Sequence, residues 1–118
     1  MAKILITDDA QFMRDMLLEM LESMGHEVVS ATNGAEMLEM YEAEKPDVVF
    51  LDLIMPGQPG MKIMESLLEK HPDAKIVICS AISSLESVVR DAFAKGAVCL
   101  VQKPFGVKDL AAAIEKCM

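Results

Sequence analysis

The sequence predicts an α/β protein, a doubly wound sheet of five parallel strands with helices on both faces. Five short runs rich in Ile, Val and Leu alternate with five longer amphipathic stretches, a pattern typical of strands buried on both faces and joined by crossover helices. The runs start at residues 3, 27, 48, 76 and 98, so successive starts lie 24, 21, 28 and 22 residues apart. Each interval has room for one strand, one helix and two short turns.

The predicted strands are the apolar runs at residues 3–7, 27–31, 48–51, 76–79 and 98–101. The first helix follows the first strand and has the clearest pattern. Its apolar residues are spaced three and one apart, so they form one stripe along a helix. Gly25 then stands where a C-terminal cap is expected. The stripe consists of Met13, Met16, Leu17, Met20, Leu21 and Met24.

Four more amphipathic stretches predict helices over residues 35–44, 61–70, 85–95 and 107–117. Pro46, Pro72 and Gly96 follow the ends of the first three of these, as expected of residues that stop helices. The side chains predicted to face the core are Met37, Leu38, Met40 and Tyr41; Ile63, Met64, Leu67 and Leu68; Leu85, Val88, Val89, Ala92 and Phe93; and Leu110, Ala111 and Ile114.

Handedness and strand number predict how these elements are arranged. Right-handed crossovers place helices on both faces of the sheet, and 2-1-3-4-5 is the common strand order for five strands, that of flavodoxin-like (βα)5 folds. The sequence contains no linker, internal repeat or low-complexity segment. We therefore expect a single domain over residues 1–118, with no attached output domain.

The composition is that of an acidic globular protein. Of its 118 residues 53% are hydrophobic and 25% charged, and 11 Lys and Arg against 19 Asp and Glu give a net charge of −8. Because an acidic surface repels phosphate backbones, nucleic-acid binding is not expected. No apolar run is long enough for a signal peptide or a membrane span. These features predict a cytoplasmic monomer.

The cysteines and histidines give no sign of a separate site. Three cysteines, an odd number without a C-x-x-C pair, argue against a disulfide framework and indicate free thiols in a reducing compartment. Cys79 and Cys99 lie in apolar runs, and Cys117 is near the chain end. His26 and His71 fall in predicted turns, where we expect surface side chains.

Polar residues follow four of the predicted strands. Asp8 and Asp9 come after the first strand, Asp52 after the third, Ser80 after the fourth and Lys103 after the fifth. Taken singly, each has an ordinary explanation as a helix cap, a turn residue or a solvated lysine. Ligands bind outside the carboxyl ends of the strands in such sheets, however. Since the first and third strands are neighbours in this order, the three aspartates are expected in one pocket.

This set of side chains predicts phosphoryl chemistry. Three close carboxylates cannot all stay ionised without a nearby cation, and Mg²⁺ suits two or three carboxylates that also face a phosphate. A lysine across the pocket supplies positive charge for an incoming anion. A carboxylate, a metal ion, a hydroxyl and a lysine can together place a phosphoryl group on an aspartate.

At these residues the sequence resembles the response-regulator receiver domains, of the stand-alone CheY-like type. Four motifs in order carry the resemblance, which extends over nearly the whole chain. They are Asp8-Asp9; Asp52-Leu53-Ile54-Met55-Pro56 with Gly60 beyond; Ser80-Ala81; and Lys103-Pro104-Phe105.

The resemblance implies roles for the matching residues. Asp52 would be the phosphoacceptor and, with Ser80 and Lys103, would form the catalytic set. Asp8, Asp9, Asp52 and the main-chain carbonyl of Ile54 would hold Mg²⁺, for which Mn²⁺ is a possible substitute. Ser80 would also act as the switch hydroxyl, and the Lys103–Pro104 bond would be cis, a form that X-Pro bonds adopt readily. A histidine kinase would donate the phosphoryl group, and a downstream protein would bind the face of the fourth helix, fifth strand and fifth helix.

Two departures from the family pattern affect the expected behaviour. Leu100 occupies the switch position where the family usually has Tyr or Phe, so we expect a muted conformational change on the output face. Ile54 and Ile82 are apolar residues at the rim of the pocket. Because they offer an attacking water no partner, we expect slow self-dephosphorylation.

Several functions compete at this point. The leading hypothesis is a phosphorylation-activated response regulator of chemotaxis type, a switch rather than a metabolic enzyme. The alternatives are a phosphorelay intermediate and a degenerate receiver that acts only as a binding module, which Leu100 keeps open. A flavodoxin-type phosphate binder is disfavoured by Asp8 and Asp9. A phosphatase resembling the haloacid dehalogenases is disfavoured because Asp52-Leu53-Ile54 lacks a second aspartate.

Overall fold

In the computed structural model, residues 2–55, 58–81, 86–103 and 105–118 are described, without the side chains of residues 54–59 and 80–88. The sheet has five parallel strands, which we number β1 to β5, and five helices, α1 to α5. The strands are β1 Lys3–Thr7, β2 Glu27–Ala31, β3 Val48–Asp52, β4 Ile76–Ala81 and β5 Cys99–Lys103; the helices are α1 Gln11–Ser23, α2 Gly34–Glu44, α3 Gly60–Lys70, α4 Glu86–Lys95 and α5 Val107–Cys117.

The strand order is β2-β1-β3-β4-β5, and every neighbouring pair is parallel. The predicted fold class and strand order are confirmed. The last three strands run one or two residues further than predicted, so Asp52 and Lys103 end their strands rather than follow them. Between β3 and α3, Ile54–Met55 and Gln58–Pro59 pair as a short antiparallel ribbon.

Side chains alternate between the two faces of the sheet and build a core on each face. One core lies with α1 and α5 and the other with α2, α3 and α4. In β1, Ile4 and Ile6 belong to the first core and Leu5 to the second. Both faces of the strands are therefore covered, which explains the unbroken apolar runs in the sequence.

Among the predicted core positions whose side chains are described, two are wrong; Leu85 and Val88 lie outside that set. Phe93 is 42% exposed, and Ala111 is exposed as well. In α5 the buried residues are Leu110, Ala113, Ile114 and Cys117. Their spacing of three, one and three places the buried stripe on one face of the helix, and residue 111 lies about 100° away from residue 110 around the axis.

The predicted glycine stops are confirmed by backbone geometry. Gly25 has φ +92° after the end of α1, and Gly96 has φ +125° after α4. These left-handed conformations carry little steric cost only for glycine. In the described residues, no helix is long and apolar enough to cross a membrane.

The histidines are half-buried, which corrects the expectation of surface side chains. Nδ1 of His26 accepts a hydrogen bond from the Ala2 amide at 3.0 Å. The His71 ring packs 4.7 Å from the Tyr41 ring, with Nε2 3.7 Å from Oε1 of Glu42. These contacts anchor the loops that carry the two histidines to neighbouring elements. Both histidines lie outside the pocket at the strand ends.

Candidate functional site

Three carboxylates meet at the carboxyl edge of the sheet. Asp8 directly follows β1 and Asp52 ends the neighbouring strand β3. One oxygen each of Asp8, Asp9 and Asp52 lies within 4.8 Å of the others. Asp8 and Asp52 are buried, 2% and 8% exposed, whereas Asp9 is exposed. The predicted cluster is thus assembled with two carboxylates inside and one at the rim.

Lys103 reaches this cluster from β5. Its Nζ lies 3.2 Å from Oδ2 of Asp8 and 3.3 Å from Oδ2 of Asp52. Burial of the side chain opposes the charged ammonium, but the Asp52 and Asp8 carboxylates outweigh that effect and raise the pKa of Lys103 above its usual value. Because β4 separates β5 from β3, the long lysine stem is what allows this contact. The ammonium balances two buried negative charges that would otherwise repel each other.

The backbone around Asp8 is held in three ways. Oδ1 of Asp8 accepts a hydrogen bond from the Ala10 amide at 2.9 Å, which fixes the turn into α1. The Asp8 amide donates to the Ala31 carbonyl of β2 at 3.3 Å. The Arg14 guanidinium, which the sequence analysis did not assign, donates to the Asp8 carbonyl at 2.7 Å. Arg14 therefore positions the pocket from one turn inside α1.

The carboxylate cluster fits a small hard cation. Mg²⁺ binds oxygen at about 2.0–2.1 Å, so opposite ligands stand about 4.2 Å apart. Oxygens within 4.8 Å of one another need only small side-chain rotations to reach that spacing. Mn²⁺ also prefers carboxylate ligands. The donor set is all oxygen, so the residues present suit the predicted ion.

Comparison with known proteins identifies the family. The profile of the response regulator receiver domain matches residues 4–115. The chain belongs to this family. It is 40% identical over 117 residues to the chemotaxis protein CheY of Listeria monocytogenes, with 98% of both chains covered. It is 38% identical over 115 residues to CheY of Thermotoga maritima, covering 97% of this chain and 95% of the relative.

A solved structure agrees with this assignment. The chemotaxis protein CheY4 of Vibrio cholerae superposes on the receiver domain with a TM-score of 0.91 at 25% identity, over 100% of this chain and 99% of the other. The predicted family is therefore confirmed. The domain is closely related to the CheY proteins, which are phosphorylation-activated response regulators of two-component systems.

Gly60, at the start of α3, lies in close contact with Leu53, the residue after Asp52. The Gly60 amide donates to the Leu53 carbonyl at 3.1 Å. A Cβ on Gly60 would lie 2.5 Å from Cα and 2.6 Å from O of Leu53. These distances leave no room for a side chain, so Gly60 allows the start of α3 to pack against Leu53, the residue beside Asp52.

Cys79 forms the wall behind the carboxylates, a position the sequence analysis treated only as core. It lies opposite Asp52 in the strand register and is 2% exposed. Burial raises the pKa of its thiol to about 12. A neutral thiol there adds no charge to the pocket.

The remaining predicted residues are placed less completely. Ser80 lies in β4 opposite Gln102, one residue before the pair of Ala81 and Lys103, but its side chain is outside the described residues, as is that of Ile54. Ile82 and Pro104 are outside them entirely, and so is the predicted cis bond. Leu100 is half-buried and packs against the core on the side of α2, α3 and α4.

Proposed function

We propose that this receiver domain is a switch that accepts a phosphoryl group on Asp52 and passes the signal on by protein contact. The observation that carries the proposal is the pocket itself, with Asp8, Asp9 and Asp52 converging within 4.8 Å and the Lys103 ammonium against the two buried carboxylates. A degenerate receiver would have no need to keep four charged groups together at a cost in desolvation.

In the proposed reaction an Oδ atom of Asp52 attacks phosphorus. The phosphorus–nitrogen bond of a phosphohistidine breaks with its electron pair going to nitrogen, and the imidazole, already protonated on its other nitrogen, leaves as a neutral ring. The products are an acyl phosphate on Asp52 and a free histidine on the kinase. The domain supplies the nucleophile and the charge arrangement, which is most of what phosphoryl transfer requires.

The other pocket residues neutralise charge. Asp8, Asp9, Asp52 and the Ile54 carbonyl would hold Mg²⁺ or Mn²⁺, which when bound offsets negative charge on the phosphoryl oxygens. Lys103, already beside Asp52, would pair with one of those oxygens. Ser80 would donate a hydrogen bond from its hydroxyl to another phosphoryl oxygen.

Two hydrogen bonds hold Asp8 in position for metal binding. Its Oδ1 accepts from the Ala10 amide, and its main-chain carbonyl accepts from the Arg14 guanidinium.

The partners follow from the family. We infer a histidine kinase as donor and a downstream protein that binds the face formed by α4, β5 and α5. Relatives named chemotaxis protein CheY favour a chemotaxis role, and a phosphorelay intermediate is the alternative. We place the domain in the cytoplasm as a monomer. The net charge of −8 disfavours nucleic acid as its target.

The test is phosphorylation by a small acyl-phosphate donor. Incubation with acetyl phosphate and Mg²⁺ should add the mass of one phosphoryl group, and EDTA should abolish the gain. Asp52→Asn should remove it, whereas Asp73→Asn, which changes an exposed aspartate outside the pocket, should leave it intact. If the unaltered protein gains no mass, the result would instead support the hypothesis of a degenerate receiver.

A further inference from the structure

A groove runs along the outer edge of the sheet, between β5 and α5. Its volume is about 550 Å³, and its lining consists of Cys99, Leu100, Val101, Gln102, Asp109, Ala112, Ala113 and Lys116. Successive strand residues point to opposite faces, so a groove that touches four in a row must lie at the strand edge. β5 is the last strand of the sheet and pairs only with β4 in the described chain.

Small side chains on α5 keep the groove open. Ala112, which is exposed, and the buried Ala113 lie between Asp109 and Lys116 in its lining, and a longer residue at position 112 would cover the strand. The groove runs along about four residues of β5, roughly 13 Å, and the helix from Asp109 to Lys116 rises about 10 Å. These lengths match an extended segment of four or five residues. An open strand edge of this kind is where a peptide can add a strand.

The two ends of the groove carry opposite charges. Chain connectivity places Asp109 near the end of β5, because only three residues separate β5 from α5. Cys117 packs in the same core cluster as Cys99, so Lys116, its neighbour in α5, lies near the beginning of β5. An antiparallel segment, which makes slightly more stable pairing than a parallel one, would therefore meet Asp109 with its N-terminal side and Lys116 with its C-terminal side.

We propose that the groove between β5 and α5 binds an extended peptide segment of a protein partner as an antiparallel sixth strand. The segment carries a basic residue toward its N-terminal side and an acidic residue toward its C-terminal side. This inference deepens the proposed function, on which it rests for the identity of the output face, by naming the kind of segment that docks there. Main-chain hydrogen bonds supply binding, and the two charges set direction.

Two blocked peptides test the proposal, Lys-Val-Thr-Val-Glu and Lys-Val-Thr-Val-Lys. The first should shift the amide resonances of residues 99–102 and slow their hydrogen exchange. It should bind about fivefold more tightly than the second, as expected for a solvent-exposed charge pair replaced by repulsion. Lys116→Glu should reverse this preference. Lys108→Glu, an equal charge change at an exposed α5 residue outside the groove, should not.

N-methylation of alternate peptide amides separates strand addition from side-chain docking. Loss of binding by the methylated peptide supports an added strand, and undiminished binding overturns it. A preference that survives Lys116→Glu overturns the antiparallel direction. Absence of any shift in β5 overturns the site. Because these measurements use the unphosphorylated domain, they can fail while acetyl phosphate still modifies Asp52, so a failure here is distinguishable from a failure of the proposed function.

Discussion

Replacing Gly60 by alanine should damage both the stability and the phosphorylation of this receiver domain. The new Cβ would lie 2.5, 2.6 and 2.8 Å from Cα, O and C of Leu53, about 1 Å closer than an ordinary contact between carbon atoms. All three neighbours are backbone atoms, so relief requires the start of α3 or the chain beside Asp52 to move by a similar distance.

The magnitude follows from two opposing effects. Overpacking of this kind costs about 1–3 kcal/mol, and alanine recovers at most about 1 kcal/mol of helix propensity. We expect a net loss of about 1–2 kcal/mol in the free energy of unfolding, or about 4 °C in Tm for each kcal/mol. A displacement of about 1 Å near Asp52, the proposed phosphoacceptor, should slow phosphorylation about 100-fold.

Gly34→Ala is the matched control. Its Cβ would lie 2.7 Å from Cγ1 of Ile63, so only the side chain of a half-buried residue, and no backbone atom, stands in its way. Urea unfolding and the time course of mass gain with acetyl phosphate measure both effects. Gly34→Ala should lose less than about 1 kcal/mol and keep the normal rate of phosphorylation. If Gly60→Ala matches the unaltered domain in both assays, the close contact with Leu53 does not constrain the pocket.

Four further changes test other parts of the site. Lys103→Met should slow phosphorylation by acetyl phosphate about 100-fold, because it removes a preorganised charge; a rate within threefold of normal would contradict this. Relative to Cys79→Ala, the unaltered domain should lose about 1.4 kcal/mol of unfolding free energy per pH unit above pH 9.0, because unfolding releases a thiol whose proton the fold retains until about pH 12; a difference in unfolding free energy between the two proteins that is the same at pH 8 and pH 10 in urea unfolding would argue against it. Leu100→Tyr should enlarge the amide shifts that a phosphoryl mimic causes over residues 88–100, and large shifts already present with Leu100 would refute the muted change. Ile82→Glu should shorten the half-life of the phosphorylated protein, and a half-life of seconds in both forms would show that the apolar rim is irrelevant.

The fold and the pocket were predictable because both depend on local sequence patterns. Strands buried on two faces read as continuous apolar runs, and residues at strand ends meet at one edge of a parallel sheet. The partners of Lys103 were not predictable in the same way. They depend on the conformation of the long lysine side chain, which extends past β4 to reach Asp8 and Asp52. The contact of Arg14 with the Asp8 carbonyl depends likewise on a rotamer.

The exposed position of Phe93 shows a different limit. Both Ala92 and Phe93 are apolar, and periodicity alone does not decide which of two adjacent residues faces the core. The structure buries Ala92 and exposes Phe93, so the face of α4 that joins the core carries the small residue. The groove beside β5 was unpredictable for a related reason. It depends on the space that small residues of α5 leave beside the strand, and hydrophobic periodicity does not show such a space.

Strand β5 contributes to both the aspartate pocket and the groove, so it can transmit a change at Asp52 to the groove. Lys103 ends β5 and contacts Asp8 and Asp52, while Gln102, the residue before it, lines the groove. A phosphoryl group on Asp52 would draw the ammonium away from its present carboxylate partners, and the backbone of β5 would transmit that change directly to its open edge. This route needs no aromatic ring at position 100. If peptide affinity for the groove changes on phosphorylation in the unaltered domain but not in Lys103→Met, the strand itself carries the signal. An affinity that is the same before and after phosphorylation would show that the two sites are uncoupled.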